Sequence, residues 1–415
     1  LPRRNGNSSL RVPLTCNHFP AKVKGSWLGA GGQEQGIGGS GMQAETTTRS
    51  GLSLKERFRR TMFFQDVDLR PNFEFGYWEN TVPNWHAQGM PTWVHDEATA
   101  YDYFGIEDVR WVQVDPGLLP VCEYEILEET EDYFIYRDNL GCVAKQGKHG
   151  DHTIPHFIDF PVKDRKTWEP FVAALDPARP ERWEGFNESL EALKDCDAPI
   201  GINCGSLLGV PRNIIGFEQI ATMPYEDPEL IRDIVNAFGE TIVAVLDKAL
   251  PHIQVDFGHG WEDICYNMGP IVNPDFLREV AGPWYRRIAD KLNQHGCSVY
   301  STDTDGNIMP IVDVFLDNGL NTQFPIEVHG GTDPCVLRDL YGKRVRLWGG
   351  VNKRIFYGDK EDIRREMLRL QPYVEQGGFI PTVDHRVPAD VPLDNYKHYL
   401  DYKREILKVG GEPKY

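Results

Sequence analysis

Short apolar runs that end in charged or Gly-rich corners recur along the C-terminal third of this chain. Cys297-Ser298-Val299-Tyr300-Ser301 leads into Asp303-Thr304-Asp305-Gly306-Asn307, and Thr322-Gln323-Phe324-Pro325-Ile326 into Glu327-Val328-His329. Val345-Arg346-Leu347-Trp348 leads into Gly349-Gly350-Val351-Asn352, and Gly378-Phe379-Ile380-Pro381-Thr382-Val383 into Asp384-His385-Arg386. Helix-like segments follow most of these corners, the rhythm of repeated βα units. In such folds the chemistry collects at the carboxyl ends of the strands. Several polar side chains are therefore expected around one mouth, which points to an enzyme.

Strand candidates fall near 71–76, 110–114, 199–204, 252–258, 297–303, 321–326, 345–351 and 378–383. That number suits an α/β fold of the closed (β/α)8 TIM-barrel type, with an open doubly wound sheet as the alternative. Ser53 with Glu56 three residues on reads as a capped helix start, and Asp227-Pro228 and Asn273-Pro274 open further helices. Between roughly 116 and 147, short strand-like runs around a turn at Asp138-Asn139-Leu140-Gly141 predict an antiparallel β insertion that could cover the mouth. Residues 1–50 are rich in Gly, Ser, Arg and Asn and read as a flexible N-terminal extension, leaving 51–415 for the barrel. Gly36-Ile37-Gly38-Gly39-Ser40-Gly41 matches Gly-x-Gly-x-x-Gly in form only, because no strand leads into it.

Composition narrows the function classes. A formal net charge of -18, with Lys and Arg scattered, disfavours nucleic acid and anionic membranes as partners. No apolar run reaches the length of a membrane span. The eight cysteines lie far apart and include no Cys-x-x-Cys pair, which suits reduced thiols in a cytoplasmic protein.

The corners supply the candidate chemistry. Asp303 and Asp305 end one strand and Glu327 the next, so in a barrel they are neighbours. Crowded carboxylates repel, and one of them then holds its proton and can act as an acid. The same group, with His385 at the last strand end, could instead hold a metal, with Asp305, Glu327 and His385 as ligands. Asp305-Gly306-Asn307 also reads as a plain turn and helix cap, and His385 as a brace for its Pro-rich loop. Glu262, in Gly258-His259-Gly260-Trp261-Glu262-Asp263, follows another strand. Trp78 and Glu79, with Trp85 close by, offer an apolar pocket wall or core packing. Arg212 could clamp a substrate carboxylate or pair on the surface.

The order and spacing of these residues resemble the uroporphyrinogen decarboxylase-like superfamily. The resemblance is carried by Asp305-Gly306-Asn307, Pro325-Ile326-Glu327, Tyr341-Gly342-Lys343-Arg344, Gly349-Gly350-Val351-Asn352-Lys353, Gly377-Gly378-Phe379-Ile380-Pro381 and Asp384-His385-Arg386-Val387-Pro388. Trp261-Glu262-Asp263-Ile264 and Gly216-Phe217-Glu218 fit it upstream. It implies a (β/α)8 barrel and one of two activities, decarboxylation or methyl transfer that involves corrinoid proteins. The Arg-Gln-Ala-Gly-Arg-Tyr segment of true decarboxylases has no counterpart; Phe73-Glu74-Phe75-Gly76-Tyr77-Trp78 stands there instead. Ser301-Thr302-Asp303 replaces the zinc-binding His-x-Cys of the thiol-methylating branch. The expectation is a methyltransferase that moves a methyl group from a small donor to cobalamin, free or on a corrinoid protein. A decarboxylase of a carboxylated substrate is the alternative. Asp303, Asp305, Glu327 and His385 are the expected catalytic residues, and Trp78, Glu79, Arg212, Glu262 and Asn352 the substrate contacts. Zinc is the metal to test for, and a homodimer the assembly that the resemblance implies.

Overall fold

The computed structural model describes residues 51–149 and 155–415; the expected extension over 1–50 lies outside the described residues. A parallel sheet is built from β1 (Arg110–Trp111), β6 (Ile200–Asn203), β7 (Phe257–Trp261), β10 (Tyr300–Asp303), β11 (Thr322–Phe324), β12 (Arg346–Val351) and β13 (Phe379–Val383), side by side in that order. Neighbours are consecutive along the main sheet and every pairing is parallel, as repeated βα units require.

The sheet is strongly curled. Phe257 on β7 and Trp348 on β12 bring their ring centroids to 5.4 Å, although β10 and β11 lie between their strands. In a flat sheet, three inter-strand steps would separate them by about 14 Å. The concave face is filled by Phe73, Val109, Phe257, Val299, Phe324, Trp348 and Ile380. Its amino end is plugged by helix α1 (Leu54–Met62), which Ser53 caps through Oγ as the sequence predicts. Phe58 and Met62 of this helix are wholly buried in the same cluster. A separate and larger core lies between the convex face and the helices.

The sequence predicts a strand over 71–76, and the structure forms none there. These residues run extended between the two ends of the sheet, and no ladder joins β13 to β1. On one side, Asn72 and Glu107 bond to each other, with Asn72 N–H reaching Glu107 Oε2 and Glu107 N–H reaching Asn72 O. On the other side, the N–H of Val383 goes to Glu74 Oε2 at 3.0 Å, a carboxylate acting where a neighbouring strand would offer a carbonyl. Pro71 has no N–H to contribute, which further weakens any ladder. The main sheet therefore has seven strands rather than the eight expected.

Glu74 is itself held by a fully buried ion pair. Lys403 Nζ lies 2.6 Å from Glu74 Oε1 and also donates to Phe73 O at 2.8 Å, and Tyr399 Oη donates to Glu74 Oε1 at 2.6 Å. Lys403 and Tyr399 belong to the last helix, Leu393–Leu407, so the end of the chain locks the 71–76 segment in place.

The expected antiparallel insertion is present and is larger than the sequence indicates. Strands β2 (Glu125–Glu129), β3 (Tyr133–Arg137), β4 (Val143–Gly147) and β5 (His156–Asp159) form one sheet, and Asp138 and Gly141 close the turn between β3 and β4. A small hairpin, β8 (Cys265–Tyr266) with β9 (Gly269–Pro270), stands after β7. The expected strand at 252–258 starts later, because Leu250–His252 makes a 3-10 turn around Pro251. Seven described cysteines carry free thiols. Among the described residues, no helix is long and apolar enough to cross a membrane.

Lys403→Met leaves the Glu74 carboxylate buried without its cation. Such a change should cost about 3–5 kcal/mol in urea unfolding, with part of the loss recovered in the Glu74→Gln/Lys403→Met double variant. A single variant within about 1 kcal/mol of the parent would mean that the pair does not hold the segment.

Candidate active site

The carboxyl ends of the parallel strands bring Asp305, His385, Asp303 and Asp263 together. His385, just past β13, sets Nε2 3.4 Å from Asp305 Oδ2, past β10. The imidazole is stacked on Trp78, with centroids 5.5 Å apart and planes 23° apart, and meets Phe75 edge-on at 5.7 Å. Phe75 in turn packs edge-on against Phe324 at 4.7 Å. Phe73 and Phe75 are two residues apart in an extended segment, so both face the interior while Glu74 faces the last helix.

The loop that carries His385 is braced from three directions. Arg386 donates from Nε to Tyr77 O at 2.8 Å and pairs with Glu97 at 2.5 Å. Trp78 N–H bonds Val387 O, and Val387 N–H bonds Gly76 O. Asp384 is wholly buried and accepts the N–H groups of Val328 and Lys353, each at 2.9 Å. Burial pushes its carboxyl up to about 6 despite those bonds and the nearby Lys353 charge. One carboxylate thus ties together the loops after β11, β12 and β13.

Asp303, the last residue of β10, is held well above the ordinary carboxyl range, chiefly by loss of hydration and then by the charges of Asp305 and Asp263. Asp263 is raised as well, by burial, with Arg212 opposing and Asp305 adding to the shift. Its backbone is left-handed, at φ 44°, a conformation that Asp tolerates better than most residues. Arg212 Nη1 holds that turn, with a contact to the Asp263 carbonyl and one of 3.0 Å to Oδ2. The guanidinium also lies over Trp261, 5.3 Å from the ring centroid. Arg212 is therefore already engaged by an acid of the site.

Two buried polar atoms of the central pair, Asp305 Oδ1 and His385 Nδ1, have no hydrogen-bond partner among the described residues. A buried polar atom without a hydrogen bond is costly, so these are the positions at which a bound molecule gains most.

Other expected residues take different places. Glu327 is close by, but Oε1 is 3.1 Å from Lys353 Nζ and Oε2 accepts Gly306 N–H at 3.1 Å. Among the described residues, no three His, Cys, Asp or Glu side chains stand close enough to hold a metal ion. Asp305, Glu327 and His385 thus do not gather into the expected three-ligand set in this structure. Glu262 is buried, and its carboxylate accepts from the N–H groups of Leu207, Leu208 and Gly209 and from Tyr285 Oη. It ties the turn after β6 to the helix Gly282–Gln294 and does not face the cluster as a free substrate contact. Gly209 is required there, because a Cβ would sit 2.3 Å from Glu262 O. Asn352 caps the turn Lys353–Tyr357 by accepting Arg354 N–H, and borders a surface groove with Arg354, Asp362 and Glu366. Glu79 is exposed, and Trp85 is core, donating to Val391 O at 2.7 Å.

His259 lies deeper on β7. Its Nδ1 is 2.8 Å from Ser301 Oγ, its ring meets Trp111 and Phe324, and burial pushes its pKa down to about 4. It is a neutral floor group rather than a charged one. Phe75 and Phe324 complete the cluster beyond the residues first expected of it. The alternation Phe73-Glu74-Phe75 carried the signal for the first of them.

Asp303→Asn should reveal the trapped proton. The folded chain holds that proton more tightly than the unfolded chain, so ionisation of Asp303 lowers stability as pH rises above the unfolded carboxyl value near 3.9. The stability of the variant relative to the parent, from urea unfolding, should therefore be greater at pH 8 than at pH 4.5. An equal difference at both pH values would remove Asp303 as the proton holder.

The comparisons with known proteins agree with this architecture. The model of the family described as uroporphyrinogen decarboxylase (URO-D) matches residues 138–406. A uroporphyrinogen decarboxylase of Neisseria meningitidis is 23% identical over 202 residues, 46% of this chain and 53% of that protein. One from Photobacterium profundum is 24% identical over the same shares. The chain spans about half the length of the curated relatives it matches. A solved methyltransferase from Methanosarcina mazei superposes with a TM-score of 0.53 at 15% identity, covering 85% of this chain and 99% of that one, a likeness of fold.

Proposed function

The chain belongs to the uroporphyrinogen decarboxylase (URO-D) family, and from that premise we propose that it is a methyltransferase, moving a methyl group from a small, neutral or cationic donor to a corrinoid acceptor. One observation carries the choice within the family: the mouth is crowded with carboxylates. Asp263, Asp303 and Asp305 converge there, and Arg212 is already paired with Asp263. A porphyrinogen with many carboxylates would meet repulsion at this opening. A small donor would rest against Trp78 and Phe75 instead. The name of the Methanosarcina fold neighbour is in keeping with this reading.

The chain's own residues then have distinct tasks. The stacked Trp78 and the edge of Phe75 fix the donor and exclude water from its methyl group. Burial and the neighbouring carboxylates raise the proton affinity of Asp303, which suits it to deliver a proton to the departing oxygen or nitrogen, a group that leaves poorly as an anion. Asp305 orients His385 through Nε2, and the free Oδ1 and Nδ1 are placed to bond the donor heteroatom. The corrinoid, free or on a partner protein, supplies the nucleophile that accepts the methyl group. In this reading, residues 71–76 take the eighth place of a (β/α)8 ring and the insertion sheet flanks the opening. The free thiols suit a cytoplasmic setting.

The family model and the named relatives favour a second reading, decarboxylation of an acidic substrate. The two separate in one experiment. Purified protein is offered Co(I) cobalamin with a panel of methyl ethers and methylamines, and in parallel uroporphyrinogen with capture of CO2. Methylcobalamin formation is expected, with Asp303→Asn lowering kcat by roughly 10²–10⁴-fold and Asp305→Asn and His385→Ala lowering it as well. Release of CO2 without methyl transfer would reverse the assignment.

A further inference from the structure

A group of cations lies at the other end of the sheet, where the strands begin. Arg338, on the helix Pro334–Tyr341, is only 3% exposed, yet its Nε and Nη1 have no hydrogen-bond partner among the described residues. Its Nη2 donates to Gly378 O at 2.9 Å, just before β13. The guanidinium faces the ring of Phe64 at 4.9 Å, and Lys343 Nζ faces the same ring at 5.4 Å. Arg346, the first residue of β12, donates from Nε to Met62 O at 2.8 Å and lies 5.4 Å from the ring of Phe63. Thr61, whose carbonyl accepts Gly378 N–H at 2.6 Å, has a buried hydroxyl that also lacks a partner among the described residues.

Among the described residues, no carboxylate forms an ion pair with Arg338, Lys343 or Arg346; Asp317 instead takes the adjacent Arg344. Arg338 is pushed down to about 10, by burial first and then by the charge of Arg346. In a chain of net charge -18 a counter-ion could readily have been supplied, and a buried cation left unpaired is expensive. Cation–ring contacts offset only a small part of that cost. Guanidinium N–H groups match the oxygens of phosphate-like anions in geometry as well as charge.

We propose that this end of the sheet carries a second binding site, for a small inorganic oxyanion of the phosphate class, gripped by Arg338 and Arg346 with Lys343 at the rim. Phe64 covers the guanidinium, and the half-exposed Phe63 and the exposed Lys343 mark the way in. The site lies across the aromatic interior from the mouth, so it stands independently of the proposed reaction.

Thermal unfolding of the full chain, titrated with inorganic phosphate and with chloride at matched ionic strength, tests this directly. Phosphate should raise the midpoint saturably and beyond the effect of chloride. Arg338→Met should abolish that response, and Lys343→Gln should weaken the apparent affinity several-fold. Arg344→Gln, whose parent side chain is already held by Asp317, should leave it unchanged. Should Arg338→Met fail to fold, the contrast between Lys343→Gln and Arg344→Gln decides. No response beyond chloride, an equal response in Arg338→Met, or an equal loss in Lys343→Gln and Arg344→Gln would overturn the proposal.

Discussion

The buried pair between Glu74 and Lys403 is the constraint on which the rest of this molecule depends. A curled parallel sheet has two ends that must be joined or covered, since bare strand edges leave backbone groups unsatisfied. Here the join is made by side chains. Glu74 takes the last amide of β13, Lys403 takes Glu74 and the carbonyl beside it, and Tyr399 completes the set. A pair with this little access to water is stable only while every lone pair and proton finds a partner. Its satisfaction fixes the path of residues 71–78, and that path sets Phe75 and Trp78 against the imidazole of His385.

Electrostatics at the mouth follow from the same geometry. Four acidic side chains stand at or just past the carboxyl ends of β10, β11 and β13, and the chain spreads them between two arrangements. Glu327 and Asp384 are tied down by Lys353 and by backbone amides. Asp303 and Asp305 stand side by side with little cationic help, and the proton affinity of Asp303 rises, through burial first and then through that crowding. The first arrangement builds the loops and the second supplies reactivity. Chemically similar residues at equivalent strand ends thus serve different ends, according to whether a lysine or an amide is in reach.

Much of the sheet was legible in the sequence because its strands are short apolar runs with sharp polar ends, and that signal is local. Helix α1 was legible through Ser53 and Glu56 for the same reason. The 71–76 segment was not, since its apolar alternation matches a strand while its fate is decided by a lysine more than three hundred positions away. At the site, Asp303, Asp305, His385 and Trp78 were legible as strand-end groups and do gather. Glu262 occupies a strand end as well, yet its carboxylate is consumed by three consecutive amides whose approach depends on Gly209. Nothing about Glu262 alone separates a catalytic acid from a loop anchor; the difference lies in which backbone comes near.

The plug formed by α1 has a kinetic meaning. Phe58 packs tilted against Phe257 and edge-on against Trp348, partners encoded roughly two and three hundred residues later, and the same interior includes Ile380. Contacts of such separation pay their loop-closure entropy before any return. During synthesis the first helix emerges with its apolar face bare and must wait for the final strand before it is fully covered. Until then its apolar face is the kind of transiently bare surface that makes a nascent chain prone to aggregate.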